Sequence, residues 1–216
     1  MKKVLLTTAI ILALAVYAYP QKIIDKSIKV DGQKTELKFD FADDIKLEAW
    51  NKNSIELQVS VDIDENTYND YYSLEVRNEK NKIEVVEDID FDGIKKLRGN
   101  DKFCNFEMNI HYTLKVPEDL NFSLKTISGE IELLGCLGEM DINTVSGYID
   151  YSVPPSHSAS IDLSTVTGDV YSNLNFEQEE SDEISWVGTN RQLSLNNGHT
   201  EVDLKTVSGD IYLRKY

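Results

Sequence analysis

The sequence predicts an all-β chain whose second half is a short β-solenoid, or β-helix, of ~20-residue coils. Three observations predict it. One phrase recurs in the same register: LKTISGEI at 124–131, INTVSGYI at 142–149, LSTVTGDV at 163–170 and LKTVSGDI at 204–211. The stretch from residue 22 to residue 116 alternates apolar and polar residues between turn signals, which is the period of half-buried strands. Beyond residue 18 no stretch shows helical periodicity.

Taken in order, residues 1–18 read as an export signal. Lys2 and Lys3 precede an apolar run at 4–16, and Val16, Tyr17 and Ala18 offer a cleavage site before Tyr19. That run is too short to span a bilayer comfortably, and no later run approaches ~18 apolar residues, so no transmembrane segment is expected. The expected location is the periplasm, the cell envelope or the extracellular surface. The formal net charge of −16 repels phosphate backbones and anionic lipid. Nucleic acid is therefore excluded as a partner.

Residues 19–117 are expected to form N-terminal strand layers, alternating and antiparallel-like, either opening the solenoid or capping it. SIELQVSVDI places Ile55, Leu57, Val59, Val61 and Ile63 on one face, and FEMNIHYTLKV does the same with Phe106, Met108, Ile110, Tyr112, Leu114 and Val116. Asp31-Gly32, residues 51–53 and residues 78–82 supply turn chemistry between such strands.

Residues 118–216 hold the repeats and continue the same domain. With the first Leu or Ile of each phrase as position zero, Phe122, Met140, Ile161 and Val202 stand at −2 and Thr126, Thr144, Thr165 and Thr206 at +2, all on one strand face. Ile127, Val145, Val166 and Val207 at +3 break the parity. Keeping them inward as well demands a bulge between Thr and Val. Gly129, Gly147, Gly168 and Gly209 mark a tight corner, so each phrase is a strand, a corner and a second strand. A coil this small cannot bury its own apolar face, and stacking on a like coil does so, with Thr and Ser in ladders along the stack. The glycines lie 18, 21 and 41 residues apart. The last gap predicts a decayed coil near Gly188, with Trp186 and Val187 as its apolar contribution and Leu193 and Leu195 leading into the final phrase.

The repeats, together with DDIKLEAWNKNSIELQVSV at 43–61, YTLKVPEDLNFSLKTISGEI at 112–131 and LSLNNGHTEVDLKTVSGDIYL at 193–213, resemble the bacterial adhesin family of domain of unknown function 4097. The resemblance covers nearly all of the chain beyond the signal. It implies an exported, β-solenoid-like surface or envelope protein, with some relatives linked to envelope stress. The acidic insert EQEESDE at 177–183 departs from the pattern and is expected to loop outward.

Catalytic motifs are sparse. The Thr, Ser and Gly columns lack the lysine of a phosphate loop and the GxSxG elbow, which leaves them a structural role. His111, His157 and His199 are scattered without zinc spacing. Asp88, Asp90, Asp92 and Gly93 match the opening of a calcium loop, but Gly99 stands where the closing Glu belongs and Lys95 and Lys96 intrude, so the reading is a solvated acidic turn without a metal and the calcium loop is the alternative. Cys104 and Cys136, both in the exported part, either form a disulfide or remain two buried thiols. The expectation is an exported binding or structural module, an adhesin without catalysis or cofactor, acting on an unknown surface protein or glycan. The alternatives are an envelope-stress accessory protein and a β-helix polysaccharide lyase or hydrolase, for which spacing singles out no carboxylate pair.

Overall fold

Alternation becomes strand throughout the N-terminal half. The computed structural model describes residues 21–99, 106–181 and 189–216, so the export signal, Cys104, Trp186, Val187 and Gly188 lie outside the described residues. The strands there are β1 (Lys22–Lys29), β2 (Lys34–Lys38), β3 (Phe41–Trp50), β4 (Ser54–Ile63), β5 (Tyr72–Asn78), β6 (Lys82–Ile89) and β7 (Met108–Pro117). Ile55, Leu57, Val59, Val61 and Ile63 are all buried, as are Ile110, Tyr112, Leu114 and Val116 across the ladder. The pairing is mixed. β1 with β4, β4 with β7, and β5 with β6 are antiparallel, whereas β3 with β7 and β2 with β6 are parallel.

The repeats add β8 (Phe122–Leu134), β9 (Met140–Ser146), β10 (Ile149–Val153), β11 (Ala159–Thr167), β12 (Val170–Ser172), β15 (Thr200–Ser208) and β16 (Ile211–Lys215). Each phrase is a strand, a glycine corner and a second strand, and β8 passes through its corner without a break. Two sheet faces share β8. One runs β5-β6-β2-β8-β9-β15-β11, the other β1-β4-β7-β3-β8-β10-β16-β12. Between them lies the core, where Leu124, Ile142, Leu204 and Leu163 from the first strands meet Ile131, Ile149 and Ile211 from the second. The result is an all-β, solenoid-like fold.

The threonine column is in parallel register. Thr126 pairs with Thr144, Thr144 with Thr206, and Thr206 with Thr165. All four are buried, and two of their hydroxyls tie neighbouring corners together, Thr206 donating to the Gly147 carbonyl at 3.2 Å and Thr165 to the Gly209 carbonyl at 2.9 Å, while Thr126 and Thr144 donate to the Ser128 and Ser146 carbonyls of their own corners. The glycines are needed for close approach. A Cβ on Gly147 would collide with the Gly129 carbonyl, and one on Gly168 with the Gly209 carbonyl.

Four expectations are corrected. The +3 residues point outward: Ile127, Val145, Val166 and Val207 are 46, 49, 43 and 46% exposed. No bulge brings them in, because Thr at +2 already fills the last inward place before the corner.

The second correction concerns the stacking order, which is not the chain order. The closing phrase threads between β9 and β11, so Gly168 packs directly against Gly209 and no rung stands between them. Residues 178–181 and 189–195 instead form β13 (Gln178–Ser181) and β14 (Thr189–Leu195); β14 lies antiparallel on the outer edge of β11, and β13 antiparallel on β14. Part of the acidic insert is therefore a strand rather than an outward loop: β14 covers the edge of β11, and β13 in turn covers the edge of β14. Leu193 and Leu195 are buried as expected.

Third, the chain has helical turns, a 3₁₀ turn at Asn69–Tyr71 and α1 at Phe91–Arg98. Eight residues with Ile94 alone buried are too few to show a helical period.

Fourth, the acidic segment opens α1, in place of either the solvated turn or the calcium loop. Asp90 caps it by accepting the Gly93 N–H at 2.8 Å, Asp92 lies in its first turn, and Lys95, Lys96 and Arg98 in its last turn complement the helix dipole. Asp88 stays behind in β6, paired with Ser73, so the three carboxylates do not converge.

Candidate functional site

The corner decides what the rungs show to solvent. Inward places are filled by aliphatics and threonines, so the outward places next to the glycines are free to vary. They vary in two ways on the two faces.

On the face that contains β9, the outward +3 residues align as one apolar ladder in the order Ile127, Val145, Val207, Val166. Beside it at +1 run Lys125, Asn143, Lys205 and Ser164. The two columns wall a shallow groove of ≈ 440 Å³. Lys205 also pairs with Asp203 at 3.1 Å. β-branched side chains in register stabilise a parallel sheet by roughly 0.2–1 kcal/mol per pair, which accounts for a valine kept outward in rung after rung.

On the face that contains β10, the residues just past the corner are tyrosines and carboxylates. Tyr148 follows Gly147, whereas Tyr212 and Tyr171 lie three residues after Gly209 and Gly168. Tyr171 and Tyr212 are paired in register and their rings stack, with centroids 5.3 Å apart and planes 14° apart. Tyr148 meets Tyr212 edge-on at 5.9 Å.

Every hydroxyl of the three faces a carboxylate. Tyr212 donates to Asp210 at 3.1 Å, Tyr171 to Asp169 at 3.4 Å and Tyr148 to Glu132 at 3.4 Å. The negative field acts on all of them. Asp169 and Asp210 raise the Tyr171 pKa, the Asp210 hydrogen bond raises that of Tyr212, and burial followed by Glu130, Glu132 and Asp150 raises that of Tyr148. Two cations are set into this group: Lys46 pairs with Glu132 at 3.8 Å, and the Arg214 guanidinium lies 5.0 Å from the Tyr212 ring centre while its Nε donates to Asp150 at 2.7 Å.

The residues singled out from sequence take structural places. The Thr and Gly columns build the corners. His111 pairs with Asp44 on the outer face of β3 and β7, His157 is buried with its pKa lowered by that burial, and the His199 ring faces the Ser158 hydroxyl at 2.8 Å; the three are not brought together. Cys136 is a free thiol, 1% exposed and pushed up to about 12 by burial. The tyrosine group escaped sequence reasoning. Its signal was present in the recurring Gly-Asp-Val-Tyr and Gly-Asp-Ile-Tyr that end the third and fourth phrases.

Stacked rungs of this kind, with in-register columns and glycine corners, define a solenoid-like class of repeat protein. The chain belongs to the Toastrack DUF4097 family, whose model matches residues 26–214. Among solved structures it is similar to a provisionally named cell adhesion protein of Clostridium sporogenes, at 15% identity over 91% of this chain and 100% of that one, with a TM-score of 0.56. A provisionally named adhesin of Bacteroides fragilis is 12% identical over 92% and 99% of the two chains, with a TM-score of 0.25. The first of these supports the fold. No curated protein matches the chain in sequence. Among the described residues no helix is long and apolar enough to cross a membrane.

Proposed function

We propose that the protein is an exported surface or envelope module that binds a partner and performs no catalysis, in keeping with the adhesin names its structural relatives carry. The observation that supports this reading most is the outward tyrosine and carboxylate group beside the corners. Aromatic rings with polar tips give large contact area at small entropic cost and are enriched where proteins meet partners. Here three of them are gathered on one open sheet face and held in place by neighbouring rungs.

The test is binding of the mature chain, residues 19–216, to washed cells and isolated envelopes of its source, alongside an assay of polysaccharide depolymerisation. Saturable binding without turnover is the expected result. Turnover of a polysaccharide would establish the hydrolase or lyase reading instead, and absence of binding to either preparation would refute the module reading.

A further inference from the structure

We infer that the Tyr171 end of the aromatic stack is a docking site for an arginine borne by an extended segment of a partner polypeptide. The inference rests on the reading of the protein as a binding module and specifies the partner's chemistry.

The protein itself displays the recognition mode one rung away. Arg214 lies over the Tyr212 ring and donates to a carboxylate, Asp150. Tyr171 occupies the same column in the neighbouring strand, in register with Tyr212, and has its own carboxylate in Asp169. What it lacks is the cation. The residue equivalent to Arg214 in that rung, ten places after position zero, is Asn173, whose Oδ1 is already engaged by the Lys215 N–H at 2.7 Å. Among the described residues no Lys or Arg lies over Tyr171, which remains 49% exposed.

The ring is stacked on Tyr212 on one side only. Its other side therefore continues the stack outward, and a planar guanidinium both stacks on an aromatic face and hydrogen-bonds a carboxylate in its plane, which an ammonium does less well.

A single exposed cation over a ring is too weak to hold a small ligand, so the cation must come with further contacts. β12 supplies them. It pairs with β16 on one side, and among the described residues no strand pairs its other side. An extended segment added there gains main-chain hydrogen bonds and sets alternate side chains on the outward face, in line with the tyrosine column. The formal charge of −16 draws a basic segment towards this face before it docks.

The test uses the mature chain and three synthetic peptides, (Thr-Arg)₆, (Thr-Lys)₆ and (Thr-Glu)₆, with affinities measured by fluorescence anisotropy at two salt concentrations. The expected result is binding of the arginine peptide about fivefold more tightly than the lysine peptide, with no binding of the acidic one. Tyr171→Leu and Asp169→Asn should each weaken the arginine peptide about fivefold and leave the lysine peptide little changed. Equal affinity for the arginine and lysine peptides, or an unchanged affinity in Tyr171→Leu, would overturn the inference, since either outcome reduces the interaction to diffuse charge. Circular dichroism establishes that each variant is folded; should Tyr171→Leu fail to fold, Asp169→Asn decides the question with the same readout. Cell-surface binding by the wild type separates the two readings. If it persists undiminished in Tyr171→Leu, the docking site is wrong and the module reading stands.

Discussion

Replacing Glu87 with glutamine should remove most of the fall in stability between pH 5 and pH 7.5. Among the described residues Glu87 is the one buried carboxylate of the N-terminal layers, 8% exposed, and it joins three strands. Its Oε1 accepts the Phe41 N–H at 2.5 Å, its Oε2 accepts the Tyr112 hydroxyl, and Tyr112 and Tyr72 share a hydrogen bond of 3.0 Å behind it. Burial raises its pKa from 4.5 to about 7, although the Tyr112 and Phe41 donors pull the other way. Between 4.5 and about 7 the folded state therefore holds a proton that the unfolded state has lost, so this stabilisation is full below 4.5 and is lost as pH rises through 7. At about 1.36 kcal/mol per pH unit, the displacement makes the ionised form cost roughly 3 kcal/mol. Glutamine keeps an acceptor for the Phe41 N–H and cannot ionise.

His157 acts in the opposite sense. Its folded pKa is depressed, so it adds stability as pH rises towards 6.5. The difference between wild type and Glu87→Gln isolates the carboxylate from that effect. Urea denaturation at half-unit pH steps is the assay. Two parallel curves, with the same change of stability from pH 5 to pH 7.5, would refute the assignment of a neutral carboxyl to this site.

Two further outcomes follow from the packing. Gly147→Ala should destabilise by more than ~2 kcal/mol in urea melts, from a Cβ forced against the Gly129 carbonyl at φ 125°, whereas Val145→Thr two residues earlier should cost less than ~1 kcal/mol because it keeps a β-branched outward residue. Cys136 should resist iodoacetamide in the native protein at pH 8 and react fully in urea, read by mass; native labelling at the urea rate would contradict a thiol buried and raised to about 12.

How much of this was legible in the sequence differs from element to element, for physical reasons. The zero and +2 columns were legible because a strand alternates with a period of two, and a buried Leu or Thr in one rung obliges the same in the next. The direction of the +3 valines was not. An aliphatic residue that stabilises a parallel ladder on the outside is written with the same letters as one that fills a core, and only the filled place at Thr126, Thr144, Thr206 and Thr165 decides between them. α1 was hidden by its brevity, and the acids that imitate a calcium loop are the cap and first turn of that helix. The tyrosine group was missed because its members come from two different offsets, +6 for Tyr148 and +8 for Tyr212 and Tyr171, and become neighbours only once the rungs are stacked.

The order of the rungs was beyond the reach of pattern. Each phrase presents the same columns above and below, so any permutation of the four satisfies the same burial and the same hydrogen bonds, and nothing in the phrases themselves ranks them. What ranks them is the edge. β14 runs antiparallel along β11 and closes that side, which leaves the final phrase its place between β9 and β11. The consequence reaches the outer face, because threading puts Tyr171, which lacks a cation, at the end of the stack and Tyr212 with Arg214 inside it; stacking in chain order would exchange them. Engineered thiols distinguish the two orders. Ser208 is in register with Ser146 on one side and Thr167 on the other, and all three residues are solvent-facing. In a Cys104→Ser, Cys136→Ser background, Ser146→Cys with Ser208→Cys, and Thr167→Cys with Ser208→Cys, should each cross-link under mild oxidation, since in-register neighbours lie about 4.8 Å apart, within disulfide reach. Ser146→Cys with Thr167→Cys should remain reduced, being about twice that distance apart with a strand between them. Efficient cross-linking of that last pair, with failure of the pair at 146 and 208, would show that the coils stack in the order in which the chain writes them.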